Sequence, residues 1–543
     1  MMRLAIWCAL AITTLLAALP ATAAARRDWA DCKADDPDRS IAGCTRIIEA
    51  RGGSPHNRAV AYDYRGVAWR NKGDLDRAIA DYNEAIRLDP KYYDGYIGRG
   101  LVYQARGEYD RAIADDDQAI GIDARNPSAF INRCLVNYQK GSYDIAIADC
   151  TEAITLCRQG RCSPYAQNAA YSNRGLAWRN KGDLDRAIAD YNEAIRANPK
   201  DAVAYNNRGH AWDDRGDFDA AIADFNEAIR LDPKEADYYY NRGLAWYKAR
   251  GEYDRAIADY TDAIRLNPKY ARAYDRRGDA YFAKDDLDRA IGDYTEAVRL
   301  DPKYDSAFND RGFAYDRKKD YDRAIADYTE AIRLDPKSAD YYYNRGNAWS
   351  KHGDADRAIA DFSEAIALDP KDVRYWNGRC WARAIVNRDL QQALADCTEA
   401  LRLGPHDTRA MDGRGFVYLR LGQLDESIAD YDAVLKVDPK LASSFYGRGL
   451  AKLRKDDTVG GGADIAAAKA IRSDIADEFA RYGVTPARQS QVAAPAADCG
   501  AAEAHWKSAE TLGILAGYED HLKRFPHCPF AGLARSKIEA LKK

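Results

Sequence analysis

AVAYDYRGVAWRNKGDLDRAIADYNEAIRLDPK, residues Ala59 to Lys91, is the stretch from which the rest of the chain can be read. In its second half Ala78, Ile79, Tyr82, Ala85 and Ile86 recur at helical spacing and make one apolar stripe. Gly73 interrupts the pattern, and Asp74 stands where the N-cap of a second helix belongs. Pro90 ends that helix, because proline has no amide proton and its ring crowds the preceding turn. The small residues Gly66, Ala78 and Ala85 allow two helices to approach closely. Such a pair cannot bury both of its faces alone, so copies must stack on one another. Copies are present. Arg174–Lys200 repeats Arg65–Lys91 with changes only at Val67, Leu88 and Asp89, and looser versions recur about every 34 residues.

The shared pattern is an Arg-Gly pair, an aromatic, then G-D-x-D-R-A-I-A-D-Y-x-E-A-I-R-L-D-P. It resembles the tetratricopeptide repeat (TPR), which implies an all-α superhelical solenoid of helix-turn-helix repeats. Full copies start near Ala59, Tyr93, Pro127, Asn168, Ala202, Ala236, Ala271, Asp305, Ala339, Val373, Thr408 and Ala442. The expected organisation is a signal peptide at 1–25, an N-terminal capping half-repeat at 26–58 and the array at 59–484. A linker at 485–498 and a small C-terminal helical hairpin at 499–543 follow. In the last copy TVGGGADIAAAKAI replaces the usual start of the second helix, and Ser473–Val484 reads as the C-terminal cap.

The opening MMRLAIWCALAITTLLAALPATAAA has an early Arg, an apolar run and small residues suited to cleavage near Ala23–Ala25. It reads as a secretory signal, which makes the mature chain periplasmic or secreted, with no membrane span. Net charge is −4 with 31% charged residues, and basic residues alternate with acids, so there is no basic field for nucleic acid.

Ten of the eleven cysteines follow the signal, in a compartment where disulfides form. In most copies the Arg-Gly glycine is followed sixteen residues later by Tyr or Phe. In the Pro127 copy those slots hold Cys134 and Cys150, and in the Val373 copy Cys380 and Cys397. The paired replacement implies that the two slots touch, with a ring over a glycine elsewhere and a disulfide here. Cys32–Cys44, Cys157–Cys162 and Cys499–Cys528 complete the expected structural disulfides. Zinc on Cys134, Cys150, Cys157 and Cys162 is the competing reading, but no C-x-x-C pair or spaced histidine supports it.

Arginine precedes the glycine slot in every full copy. An aspartate follows sixteen or seventeen residues later in the first eleven, from Arg65/Asp81 to Arg414/Asp430. This reads as a partly buried ion-pair ladder fixing helix register. On that reading Arg277→Leu is tolerated and Asp293→Leu destabilises. Asp116, in a slot otherwise aromatic or cysteine, reads as a solvated substitution.

In TPR arrays the first helices line the concave face, which puts Tyr240, Tyr247, Phe282, Phe313, Tyr343, Trp381 and Phe416 in a partner-binding groove. Asp275 and Asn309 stand where chaperone-type TPRs hold a carboxylate-binding lysine, so that specificity is not implied. No catalytic constellation, cofactor motif or metal set emerges. Val459-Gly460-Gly461-Gly462 lacks the Gly-Lys-Ser/Thr of a phosphate loop. The expected function is a non-enzymatic scaffold or adaptor for protein or peptide partners. The alternative is the non-catalytic regulatory arm of an enzyme or glycan-handling complex.

Overall fold

The computed structural model describes residues 23–50, 53–249, 251–486, 499–513, 515–524 and 531–542. These residues form helices joined by tight turns, with no strand among them. The chain divides into two compact units, one running to Lys318 and the other from Lys319.

The repeat at Ala59 shows how each hairpin is made. Its helices span Pro55–Asn71 and Leu75–Leu88. Gly73 takes the left-handed φ of +82° that reverses the chain, and Asp74 caps the second helix by accepting from the amide of Arg77. Between the helices Ala68, Ala78, Ala85 and Tyr82 are fully or almost fully buried. In both units each first helix also touches the first helix of the next repeat, and consecutive second helices make no comparable contact. Within each unit the first helices therefore lie on the more closely packed, inner side.

The slot contact expected from the cysteines is present. A methyl group placed on Gly278 would lie 2.7 Å from the Tyr294 ring, and one on Gly209 2.7 Å from Phe225. In the Pro127 repeat Cys134 and Cys150 are joined instead, with α-carbons 5.5 Å apart, and Cys380–Cys397 has the same separation. Cys32–Cys44 clamps the N-terminal helices Ala23–Cys32 and Pro37–Glu49. Cys157–Cys162 closes a single π-helical turn, Cys157–Arg161, that absorbs the inserted residues. The expected Cys499–Cys528 bond and most of the signal and linker lie outside the described residues.

One prediction follows from the equivalence of ring and sulfur. Cys134→Ala/Cys150→Ala should lose about 3 kcal/mol on the chain-entropy account. Cys134→Gly/Cys150→Tyr should restore the contact used elsewhere and lose less stability than wild type when dithiothreitol is added, the other disulfides keeping their own sensitivity, as measured by circular dichroism.

The last copy departs from expectation. Thr458–Ile471 is a complete second helix, capped by Asp457. Its glycines permit the approach, since a methyl group on Gly461 would meet the Gly449 carbonyl at 2.8 Å. The cap proper is the short helix Ile475–Arg481, which buries Ile475 and Phe479. In the C-terminal segment the described residues form three helices, Cys499–Leu512, Leu515–Arg524 and Ala531–Leu541, where a hairpin was expected. Gly513, at φ +62°, breaks what the sequence pattern suggests is one helix.

Candidate partner-binding face

The arginine ladder is a set of three-way junctions. Arg277 donates from Nε and Nη2 to both carboxylate oxygens of Asp293, each at 2.8 Å, and from Nη1 to Thr261 of the preceding repeat at 3.0 Å. Arg99 does the same with Asp115 and Asn83, and Arg242 with Asp259 and Asn226. The pairs are therefore within a repeat, while the third donor ties one repeat to the one before. The sequence reading stopped at Arg414; Arg448 continues the series on Asp464 at 2.6 Å. An aromatic three residues before the arginine lies over the guanidinium, as Tyr274 does over Arg277 at 5.6 Å and Tyr62 over Arg65 at 5.2 Å. Many aromatics of the first helices are thus lids on the ladder.

Asp116 is corrected. It is 1% exposed, its Oδ1 has no hydrogen-bond partner, and burial holds its carboxyl well above the usual range. The small neighbour Gly100, whose added methyl would meet Asp116 Oδ1 at 3.6 Å, leaves room for this substitution of a ring.

The expected groove residues divide. In the second unit Phe416 is 1% exposed and packs edge-on against Phe479 of the cap helix at 5.6 Å. Trp381 lies 5.1 Å from Phe416 and 5.8 Å from Tyr482. Phe416 is therefore core, covered by a cap whose approach the repeat pattern does not encode. Tyr343 packs on Phe362 and Tyr375 and is partly buried. Two arginines there, Arg420 and Arg454, turn to the helix-end carbonyls of Ile385 and Leu419 at 3.0 and 2.9 Å. That is the favourable place for a cation at a helix C-terminus.

Of those in the first unit, Phe313 is the exposed ring, and Phe282, Tyr240 and Tyr247 are half-buried. Phe282 and Phe313 stack at 5.4 Å, and Phe313 is 42% exposed. Tyr240 and Tyr247 lie against Tyr270 at 5.0 Å and Tyr253 at 5.3 Å. Among these rings the helices Ala271–Ala283 and Asp305–Arg317 carry Asp275, Asp279 and Asp310. Asp275 accepts from the Tyr304 hydroxyl at 2.8 Å, and Asp279 from Tyr294 at 2.9 Å and Arg276 at 2.6 Å. Asp310 accepts from Asn309 at 3.1 Å. Burial, then the charges of Asp279 and Asp275, push Asp310 up to about 8. Asp275 and Asp279 are likewise raised, burial again being the main cause. From the sequence Asp275 stands out only as the residue in place of a carboxylate-binding lysine, and Asp279 and Asp310 do not stand out.

The sign of the pH effect follows. A carboxyl raised in the folded state binds protons more tightly there than in the unfolded chain, so its contribution to stability is lost as pH rises toward 8. Asp310→Asn, facing Asp275, Asp279, Arg276 and Asn309, is expected to raise the melting temperature. The gain should grow between about pH 4 and pH 8, as followed by calorimetry across that range.

This architecture defines a solenoid of helical hairpins. Family models agree. The TPR repeat matches residues 66–107, 214–249 and 415–456, and two tetratricopeptide repeat models match 247–305, 309–373 and 350–408, and 169–201. The chain belongs to the tetratricopeptide-repeat family. No curated protein matches it. Among solved structures it is similar to MamA, at 31% identity over 31% of this chain and 97% of that one, with a TM-score of 0.29. It is also similar to YrrB, described as a TPR protein with an unusual peptide-binding site, at 22% identity over 34% and 95%, with a TM-score of 0.30. Yeast Tom70 aligns at 17% identity over 77% of this chain and 99% of its own, with a TM-score of 0.35.

Proposed function

We propose that the protein is a non-catalytic scaffold or adaptor that holds protein or peptide partners on its first-helix face, and that it works outside the cytoplasm. Proteins of the TPR family serve as scaffolds for protein–protein interaction, and repeat folds take their specificity from the side chains they display. The observation that carries the reading is the division of the aromatics. Most cap the arginine ladder or enter the core, whereas Phe313 in the first unit stays exposed beside Phe282, which is half-buried under Arg317. The apolar opening segment and the four disulfides support an exported location. No helix among the described residues is long and apolar enough to cross a membrane.

The test is chemical cross-linking and affinity capture from the exporting compartment with the wild-type chain and with Phe282→Ala/Phe313→Ala. Retention of a protein partner by wild type and its loss in the variant is the expected result. Retention of polysaccharide alone, unchanged in the variant, would replace this reading with the glycan-handling alternative.

A further inference from the structure

We propose that the first-helix face of the first unit, between Tyr240 and Phe313, docks a cationic peptide segment, with an Arg or Lys side chain of the partner entering beside Asp279 and Asp310. The inference rests on the scaffold reading and specifies the chemistry of its partner.

The argument begins with charge. In the first unit, from Arg65–Asp81 to Arg277–Asp293, a buried aspartate of the ladder is matched by a bidentate arginine. On the helices Ala271–Ala283 and Asp305–Arg317 three carboxylates come together, and Arg276 is the cation that the described residues pair with them. Its Nη1 is engaged by Asp279 at 2.6 Å, and its Nε lies 3.6 Å from Asp275. With Asp275 and Asp310 held toward the protonated form by burial, a cation brought beside them would favour their ionised forms.

A second observation is independent of that pairing. Asp275 is 0% exposed, and its Oδ1 has no hydrogen-bond partner. An orphaned buried carboxylate oxygen costs the fold stability, and a nearby positive charge relieves it.

Asp279 and Asp310 are also departures from the repeat, whereas the Asp275 slot holds Asp63 and Asp412 in other copies. One repeat earlier the positions of Asp275 and Asp279 hold Tyr240 and Leu244, and two repeats earlier Asn206 and His210. Where the pattern is neutral, Asn241 donates to Asn206 at 2.9 Å and the face is satisfied internally. At Asp275–Asp310 it is not.

Access and shape fit a cationic side chain. Asp279 keeps 17% of its side chain exposed, and Phe313, one turn beyond Asp310, is 42% exposed. Aromatic faces next to carboxylates suit a guanidinium or ammonium group, since the ring holds the apolar stem and attracts the charge.

The experiment uses the full chain and two fluorescein-labelled octapeptides, alternating Arg-Ala and alternating Glu-Ala, measured by fluorescence anisotropy at low and at physiological salt. The Arg peptide should bind, the Glu peptide should not, and binding should weaken with salt. Asp279→Asn/Asp310→Asn should weaken the Arg peptide by about tenfold or more. Asp279→Asn keeps an oxygen for Arg276, and a melt of the double variant with its transition well above the assay temperature shows that the loss is not unfolding.

Asp254→Asn/Asp288→Asn removes the same net charge from exposed positions paired with Lys284 and Lys318, and should leave binding within about twofold. Equal loss in both double variants, or an Arg peptide held no more tightly than its Glu counterpart, overturns the proposal. A natural partner that survives Asp279→Asn/Asp310→Asn but is lost with Phe282→Ala/Phe313→Ala would keep the scaffold reading and overturn this one alone.

Discussion

Arg277→Leu is expected to lower the stability of its repeat by about 3–5 kcal/mol, Asp293→Leu by about 1–3 kcal/mol, and the double replacement by little. The asymmetry comes from burial. The Asp293 side chain is 10% exposed against 17% for Arg277, and both of its oxygens are consumed by the guanidinium. Removing the arginine strands a buried carboxylate. Even with its partner in place, burial outweighs the guanidinium and holds the Asp293 carboxyl above its usual range. Removing the aspartate strands a longer side chain that keeps Thr261 at 3.0 Å and the Tyr274 ring, and whose stem can carry its head to water. This order is the reverse of the one the sequence suggested, because relative depth within a pair cannot be read from spacing.

Two leucines in place of the pair should lie within about 1 kcal/mol of wild type, since exchanging a buried ion pair for apolar packing is often neutral. The ladder then sets register rather than supplying net stability. A double-mutant cycle from urea melts measures this, and additive losses would contradict it.

The second large effect is at the slot between repeats. Tyr82 is fully buried, with Gly66 of its own repeat on one side and Gly98 of the next on the other. Methyl groups placed there would lie 3.0 and 2.3 Å from its ring. Tyr82→Ala should cost about 3–5 kcal/mol, combining lost burial with a cavity that two helix backbones cannot close. Gly98→Ala should cost about 1–3 kcal/mol, because the ring has no room to move. Combining the two should recover part of the sum, as the new methyl fills part of the void.

Tyr82→Phe should be neutral or stabilising by up to about 1 kcal/mol. The Tyr82 hydroxyl has no partner, and Phe225 and Phe362 fill the same slot in other repeats. A loss on Tyr82→Phe would mean that the hydroxyl is bonded in solution.

Much of this was legible in the chain itself, for a physical reason. A feature repeated in every copy is reported many times over, so helix pairing, turn position and the Arg–Asp offset all emerged from spacing. The paired loss of glycine and aromatic at Cys134/Cys150 identified a contact because a disulfide can replace only groups that touch.

What was not legible occurs once or depends on distant chain. Asp464 is the exception, for it keeps the sixteen-residue offset from Arg448 and was legible despite the small residues around it. Phe416 looks like its exposed counterparts until the helix Ile475–Arg481 covers it. Asp275, Asp279 and Asp310 occupy different slots of two repeats, and only the curvature of the first-helix face brings them together. Aromatic lids on arginine do carry a sequence signal, a ring three residues before the ladder arginine in every full copy but that of Arg414, which has Met411 there and lies on Tyr418.

The contact between a leading-helix glycine slot and a trailing-helix ring or sulfur underlies every other placement. Peptide mapping of the non-reduced chain by mass spectrometry tests it most directly. It should recover Cys134 linked to Cys150 and Cys380 linked to Cys397, each pair bridging two helices of a single repeat. Cys134 or Cys380 found as a free thiol, or linked to a cysteine of another repeat, would contradict the packing.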